Sequence, residues 1–420
     1  MRKVLFLLLS VLVFSACSDE IPEEKIPIKS GRTILAYLIS NNKSGSLDKF
    51  LKQNLVEMYS GLAQTTDSCT LLVYYRPNVD YDGKNSDTDG LTGPSILKYE
   101  SDGKGNINNR KCLQGTDLIP SNVIKEAFCS PYTDKNHNAT DPATMSRVLG
   151  DMVKLSPSTN YGLIFGSHGT SWMQGNAISG RAFGDDAGYN IDIPEMAEVL
   201  KGIFSSRQLD FILFDACMMA TAEVCYELKD VTDYLVGAVV ETHTAGHPYN
   251  VIIPKMYKED IPYGQICKDY TDYSRNLGAW GNCSAMDCSK IDDLAEWVEE
   301  NLETYSDKLV SFNIDDVQQY GVSSFKYFSV DIVDFFKTVN DGVVPDGLLD
   351  VMKKVVIAKD GLFGPGNEVV GVLELDEERY SGLGMYVPFK IKKTEWNTYY
   401  RTLSWYKTVG WERFETILTQ

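Results

Sequence analysis

The sequence predicts an α/β fold whose central sheet is mainly parallel. Apolar runs of strand length occur at 32–39, 70–75, 161–165, 209–214 and 234–240. Each run is apolar on both faces, as expected for parallel strands that are covered by helices on both sides. Helical segments separate the runs, and strands that alternate with helices favour βαβ connections.

The segments between these runs carry helix and loop signals. Residues 47–62 and 193–203 have apolar residues at helical spacing, and Asp141 precedes a proline where a third helix is expected to begin. Residues 79–105 are rich in Gly, Asp and Asn, which predicts a long exposed loop around a short strand at 95–99.

The first residues resemble a bacterial lipoprotein signal. A basic start is followed by an apolar run at 4–14 and by small residues before Cys17. This run is shorter than the roughly 20 apolar residues that a transmembrane helix needs. We therefore expect residues 1–16 to be a signal peptide, Cys17 to carry a lipid and residues 17–30 to form a tether. The expected location is the bacterial outer membrane or cell surface.

The composition limits the classes of function. The chain has 420 residues and a formal net charge of −18. This charge would repel a polyanion, so we exclude a nucleic-acid role, whereas basic peptides would be attracted. After the tether, the pattern divides into an α/β domain at 31–285 and a C-terminal region at 286–420.

Nine cysteines are spread along the chain without a CxxC pair or metal-ligand spacing. In an exported protein an even number of them could form disulfides. Cysteines inside apolar segments also pack well as free, small hydrophobic residues. The sequence leaves the pairing open.

A histidine and a cysteine each follow a predicted strand. His168 comes after the strand at 161–165, and Cys217 comes after the strand at 209–214. Because functional groups gather beyond the carboxyl ends of parallel strands, we expect the two side chains at one edge of the sheet. An imidazole can take the proton of a thiol, and the resulting thiolate is a nucleophile. The alternative interpretation of Cys217 is a buried structural thiol.

The strings around these residues resemble the clostripain family of cysteine peptidases. They are Phe165-Gly-Ser-His-Gly-Thr-Ser-Trp172, Gly184-Asp-Asp186, Phe214-Asp-Ala-Cys-Met-Met219 and Glu223-Val-Cys-Tyr-Glu-Leu228. The likeness extends over nearly the whole chain after the tether. The family belongs with caspases, gingipains and legumains. The resemblance therefore implies a caspase-like α/β/α sandwich as the catalytic domain, with a C-terminal α+β region packed on it.

The resemblance also implies a role for five residues. His168 matches the family's catalytic histidine, and Cys217 matches its nucleophile. The N–H groups of Gly169 and Cys217 match its oxyanion hole. Asp215 matches the acid that lines a pocket for a basic side chain, where a carboxylate offers Arg a bidentate partner. The alternative for Asp215 is a helix cap. Glu241 is the nearest candidate for a second pocket acid, although the loop after it differs from the family's acidic loop.

The implied activity is that of a cysteine endopeptidase that cleaves after Arg or Lys in proteins or peptides. Family members often cut themselves between the histidine and the cysteine, and we expect this cut between Arg181 and Ala182. We expect a monomer, nicked into two chains where this cut occurs. The chemistry requires no cofactor and we assign no metal ligands, while calcium stays open as an activator without an assigned site.

Two alternatives remain open. One is a surface lipoprotein that binds peptides or glycans without cutting them, since the aromatic residues at 396–411 could stack on sugars. A helix face packed on the core is the more common explanation of such residues. The presence of both His168 and Cys217 argues against a mere binder. The other alternative is cleavage after Asp or Asn, which is disfavoured because Asp215 would repel Asp.

Overall fold

The part of the chain that the structure describes contains sixteen strands and fourteen α-helices. This computed structural model describes residues 29–42, 47–78, 90–173, 183–204, 209–321, 323, 326–366, 371–389 and 394–419. The strands are β1 (Lys29–Ile39), β2 (Ser68–Arg76), β3 (Ser95–Asp102), β4 (Asn106–Ile107), β5 (Arg110–Lys111), β6 (Phe128–Pro131), β7 (Ser158–Gly166), β8 (Phe183–Asp186), β9 (Tyr189–Ile191), β10 (Leu209–Asp215), β11 (Thr232–Gly237), β12 (Asn282–Asp287), β13 (Gln319–Tyr320), β14 (Ser329–Asp331), β15 (Val356–Gly361) and β16 (Gly384–Met385). The helices are α1 (Asp48–Leu62), α2 (Pro120–Glu126), α3 (Pro142–Leu155), α4 (Ile193–Ile203), α5 (Ala222–Leu228), α6 (Tyr249–Met256), α7 (Tyr263–Asn276), α8 (Ile291–Thr304), α9 (Ser306–Leu309), α10 (Ile332–Val339), α11 (Leu348–Val355), α12 (Thr394–Tyr400), α13 (Ser404–Thr408) and α14 (Glu415–Thr419).

Eleven of the strands form one large sheet with a parallel centre. The strands β2, β1, β7, β10 and β11 lie side by side in this order and run parallel. The antiparallel strands β3 and β12 extend the sheet on either side, and β3 includes the short strand expected at 95–99. The expected α/β fold with a mainly parallel sheet is therefore confirmed.

Buried side chains cover both faces of this sheet. Along β1, Ile34 and Ala36 belong to one buried cluster with residues of α1, α2, α6 and α7. Leu35 and Tyr37 belong to another cluster with residues of α3, α4, α5 and α8. Successive side chains of a strand point to opposite faces, so the two clusters are the two sides of an α/β/α sandwich.

The fifth parallel strand ends earlier than the apolar run at 234–240 predicts. β11 stops at Gly237, and the next residues turn toward the loop after β10. Met218 N–H donates to Val240 O at 3.0 Å, and Ala220 N–H donates to Ala238 O at 3.0 Å. Residues 238–240 are apolar because they are buried against this loop, where they hold its backbone in place.

The residues after 285 contribute to the large sheet and also form a small one. β15 pairs antiparallel with β12, while β13, β14 and β16 form a three-stranded sheet. Gly384 N–H, at the start of β16, donates to Ala220 O at 3.0 Å. The C-terminal region thus touches the loop that follows β10. Among the described residues, no helix is long and apolar enough to span a bilayer.

The aromatic side chains near the C-terminus lie in the interior. Trp405 and Trp411 are fully buried, and Trp396 and Tyr406 are nearly so. They share a core cluster with Trp172, which follows β7. These rings therefore pack the C-terminal helices on the sandwich and present no surface on which a sugar could stack.

Candidate active site

Two loops at the carboxyl ends of β7 and β10 bring His168 and Cys217 to one cavity. These strands are parallel neighbours, with Gly166 paired to Asp215. His168 and Cys217 each lie two residues beyond this pair. Both line a cavity of about 440 Å³. This volume lies within the range of small-molecule and peptide side-chain sites.

Both loops turn sharply just beyond these residues. Ser171 and Met218 adopt left-handed backbone conformations, with φ of 56° and 60°. Such conformations are costly for residues with side chains and tend to occur at functional sites. Ser171 Oγ and Thr221 Oγ1 lie 2.6 Å apart in a hydrogen bond that joins the two loops. The loops therefore hold each other in position.

Gly169 is the point of closest approach between the loops. A Cβ atom at this position would lie 3.0 Å from Ala216 Cβ and 3.2 Å from Cys217 O. His168 O accepts a hydrogen bond from Gly184 N–H at 2.8 Å, which anchors the loop to β8. Any side chain at 169 would push the loops apart, so glycine is required for this contact.

The Cys217 thiol lies in an environment that favours its neutral form. Its Sγ donates to Thr242 O at 3.8 Å. Burial, and secondarily the negative charge of Glu241, raise the pKa of Cys217 to about 12. The side chain is only partly covered, so a ligand in the cavity can reach it. The thiol is therefore protonated at neutral pH and needs a base before it can act as a nucleophile.

His168 is the imidazole that lines this cavity, and Asn42 contacts its ring. The side-chain amide of Asn42 contacts His168 Nε2, with Nδ2 and Nε2 3.2 Å apart, so Nδ1 is the ring nitrogen left to exchange a proton in the cavity. Asn42 comes from the residues just after β1, the strand next to β7. Sequence reasoning did not identify Asn42, although its place beyond a parallel strand was a usable signal.

Asp215 forms part of the cavity wall beside Cys217. Asp215 is 7% exposed, and Tyr249 OH donates to Oδ2 of its carboxylate at 2.8 Å. Burial raises its pKa to about 6, while hydrogen bonds from Tyr249 and from the His247 N–H act in the opposite direction. None of the groups that shift this pKa is a Lys or Arg, so within the described residues the carboxylate lacks a cationic partner. Asp215 caps no helix, since β10 is followed by a loop.

The loop at 241–247 forms another part of the cavity wall, and residues 241–246 line the cavity. Glu241 lines the cavity, its carbonyl accepts from Trp280 Nε1 at 2.8 Å, and burial raises the pKa of its carboxyl. A Cβ at Gly246 would lie 2.4 Å from Asp215 Oδ2, so the loop backbone lies directly on this carboxylate. The cavity is therefore lined by two acidic residues, Asp215 and Glu241.

The two histidines of this loop are neutral and structural. His243 stacks on Tyr270 with centroids 5.4 Å apart, and its Nε2 lies 2.9 Å from Ser274 Oγ. Burial lowers the pKa of His243 to about 4 and that of His247 to about 3. Neither histidine brings a positive charge to the cavity at neutral pH, so its electrostatic character is set by Asp215 and Glu241.

Three of the residues named from the sequence are outside the described residues. They are Cys17, Arg181 and Ala182. His168, Gly169, Asp215, Cys217 and Glu241 are all described, and the structure brings them together. In the described ranges, no group of three or more His, Cys, Asp or Glu side chains could hold a metal ion.

Comparisons with known proteins identify the family. A family model described as the clostripain family matches residues 36–416. Comparison with curated proteins gave no match.

Solved structures include chains of similar fold. One is an inactive zymogen C11 protease from Parabacteroides distasonis, with a TM-score of 0.69 and 23% identity over 91% of this chain and 99% of that chain. Another is a secreted C11 cysteine protease from Bacteroides thetaiotaomicron, with a TM-score of 0.70 and 20% identity over 91% of this chain and 100% of that chain. Similarity at these identities establishes the shared fold, and the family match covers most of the sequence. On that basis the chain belongs to the clostripain family of cysteine peptidases.

Proposed function

We propose that this peptidase cleaves the peptide bond after Arg or Lys, with Cys217 as nucleophile and His168 as proton carrier. The observation that carries the proposal is the shared cavity, where a thiol and an imidazole meet two carboxylates. A solved structure of the secreted Bacteroides thetaiotaomicron protease contains an irreversible peptide inhibitor, which supports peptides as ligands of this fold.

The reaction begins with a proton transfer from the thiol. Because the pKa of Cys217 is raised to about 12, its thiolate forms only when His168 accepts the proton. The thiolate then attacks the carbonyl carbon of the scissile bond. The carbonyl oxygen acquires negative charge, and the N–H groups of Gly169 and Cys217 stabilise it.

Proton return completes the first half of the reaction. The imidazolium of His168 gives its proton to the departing amine, and the acyl group stays on Cys217 as a thioester. His168 then takes a proton from a water molecule, whose oxygen attacks the carbonyl carbon of the thioester. The Cys217 thiolate leaves and regains a proton from His168, which restores the thiol. The Asn42 contact at 3.2 Å supports a fixed ring orientation during both transfers.

The acidic walls supply the preference for basic residues. Asp215 is ionised at neutral pH because its pKa is about 6, and a substrate guanidinium or ammonium would give it a cationic partner. Glu241 faces the same space and adds attraction for the same charge. A carboxylate in the substrate would meet two like charges, so we expect no cleavage after Asp.

The test of this preference is Asp215→Asn. We expect kcat/KM for an Arg peptide to fall by roughly 100-fold or more, because a buried charge partner is lost. The substrates are matched peptides that end in Arg, Lys, Asp or Asn before the reporter. Glu241→Gln is expected to have a smaller effect. Glu259→Gln removes the same charge from an exposed site and serves as the control. Equal rates for all four peptides would contradict the acidic pocket, and no cleavage of any would favour a peptide-binding role.

We also propose two covalent processing events, namely lipidation of Cys17 after export and self-cleavage between Arg181 and Ala182. The N-terminal sequence and the secreted relative support export. The proposed cut lies just before β8, whose Gly184 N–H bonds the His168 carbonyl, and it places an arginine before the scissile bond. Intact-mass analysis of active protein from the cell envelope is expected to show both events. An intact 17–420 chain with full activity would eliminate the self-cleavage.

A further inference from the structure

Four buried cysteines lie in two facing pairs around β12. Cys225 of α5 and Cys288, which directly follows β12, have their Sγ atoms 3.6 Å apart. Cys267 of α7 lies beside Cys283 of β12. All four side chains are at most 1% exposed. The members of the first pair are 63 positions apart in sequence, so the fold itself brings them together.

We propose that Cys225 and Cys288 form a disulfide bond in the exported protein and that Cys267 and Cys283 form a second one. A disulfide places its sulfur atoms about 2.0 Å apart, and side-chain rotation can close the remaining distance where thiols already touch. Disulfides persist in exported proteins. The inference rests on export, and it is independent of the proposed peptidase specificity.

The two pairs lie on opposite faces of the sheet. Cys225 and Cys288 belong to the buried cluster on the α5 side, whereas Cys267 and Cys283 belong to the cluster on the α7 side. The two bridges would therefore join α5 and α7, on opposite faces of the sheet, to β12 and the residue that follows it.

Both helices adjoin segments that line the cavity. α5 begins five residues after Cys217, and α7 carries Tyr270 and Ser274, which support His243. The bridges would hold the nucleophile loop and the acidic loop at a fixed separation. Their proposed role is thus to keep the cavity assembled after export, where cytoplasmic chaperones cannot act.

The oxidation needs an external disulfide, such as that of a thiol oxidase of the cell envelope. A thiolate of Cys225 attacks one sulfur of that disulfide, which releases one oxidant thiolate and leaves a mixed disulfide. The thiolate of Cys288 then attacks the Cys225 sulfur and displaces the second oxidant thiolate. The two thiol protons pass through the medium to the two thiolates of the oxidant, which takes up two electrons and becomes a dithiol, and one S–S bond remains in the protein. Oxidation precedes burial, during folding after export.

Peptide mapping tests the pairing. Full-length Cys217→Ala protein, which cannot cut itself, is isolated from the cell envelope with its free thiols blocked by N-ethylmaleimide. Digestion with trypsin and an Asp-specific protease separates Cys283 from Cys288, because Asp287 lies between them. We expect peptides of Cys225 linked to Cys288, and of Cys267 linked to Cys283. N-ethylmaleimide on these four residues, or any other linkage, would overturn the proposal.

Thermal unfolding gives a second, independent readout. Protein refolded with a reductant is expected to melt on the order of 5 °C lower than the oxidised protein, because the unfolded chain gains freedom. Cys129→Ala, at an exposed position in β6, should show the same shift. The double variant Cys225→Ala/Cys288→Ala should show a smaller shift. Equal melting of oxidised and reduced wild-type protein would also count against the bridges.

Discussion

Replacing Cys217 by alanine is expected to lower kcat for an Arg peptide by at least about 10⁴-fold, and replacing His168 by alanine should have a similar effect. Without the sulfur no thioester forms. Without the imidazole the thiol has no base, and a pKa of about 12 leaves roughly one thiol in 10⁴ ionised at pH 8. Initial rates at saturating substrate, with titration of active sites by an irreversible peptide inhibitor, measure both losses.

The controls separate chemistry from folding. Cys129→Ala removes an exposed thiol and should keep full activity. The double variant His168→Ala/Cys217→Ala should be no slower than either single variant, because residues that act as one unit are not additive. Circular dichroism of each variant verifies the fold. If Cys217→Ala retained a tenth of the wild-type kcat, another residue would be the nucleophile.

The sequence predicted the site because its main residues follow strands. Apolar strands are visible as runs, and residues just beyond two neighbouring runs meet at one edge of a parallel sheet. This logic predicts that His168 and Cys217 lie together, whereas the role of Asp215 is implied by the resemblance to the clostripain family. It also gave the α/β class, since the runs alternate with helical segments.

Other parts of the site depend on contacts that no local pattern encodes. Tyr249 reaches Asp215 from the start of α6, and Gly246 lies against the same carboxylate. Gly246 belongs to a loop, and Tyr249 follows that loop, which is held by contacts such as the hydrogen bond from Thr242 Oγ1 to Ala216 O rather than by a periodic pattern. The apolar run at 234–240 predicts a strand along its whole length, because residues buried against a loop and residues buried in a sheet have the same apolar pattern in sequence.

Glu223 shows how the C-terminal region takes part in the site. Its Oε1 accepts hydrogen bonds from Tyr386 N–H at 2.8 Å and from Tyr400 OH at 2.9 Å. Glu223 lies in α5, just after the nucleophile loop. The rings of Tyr386 and Tyr400 pack against Trp172 of the histidine loop, with centroids 4.6 and 5.0 Å away. One buried carboxylate therefore links the C-terminal region to both loops.

Glu223→Ala is expected to lower the free energy of unfolding by about 1–3 kcal/mol, because it leaves the buried Tyr386 N–H without an acceptor and leaves Tyr400 OH only the Tyr386 carbonyl. We also expect kcat to fall by roughly tenfold or more, since a small displacement of either loop misaligns the thiol and the imidazole. Glu223→Gln keeps an oxygen acceptor and should retain most of the activity. Urea unfolding and steady-state kinetics measure the two effects. Glu227→Ala, on the same helix but bonded only at the surface, is the matched control.

The pH dependence of Glu223→Gln separates the charge of this residue from its hydrogen bonds. Burial raises the pKa of Glu223 to about 7, above the value of about 4.3 for an unfolded chain. The folded protein therefore holds a proton that the unfolded chain releases, and stability falls as pH rises from about 4.3 to 7, by on the order of 3 kcal/mol. Glutamine does not titrate, so the variant should gain stability relative to the wild type across this range. Other buried carboxylates, such as Asp215, titrate in both proteins and cancel in the difference. A difference that stays constant from pH 5 to 8 would mean that Glu223 is ionised throughout, with its charge balanced by the two hydrogen bonds alone.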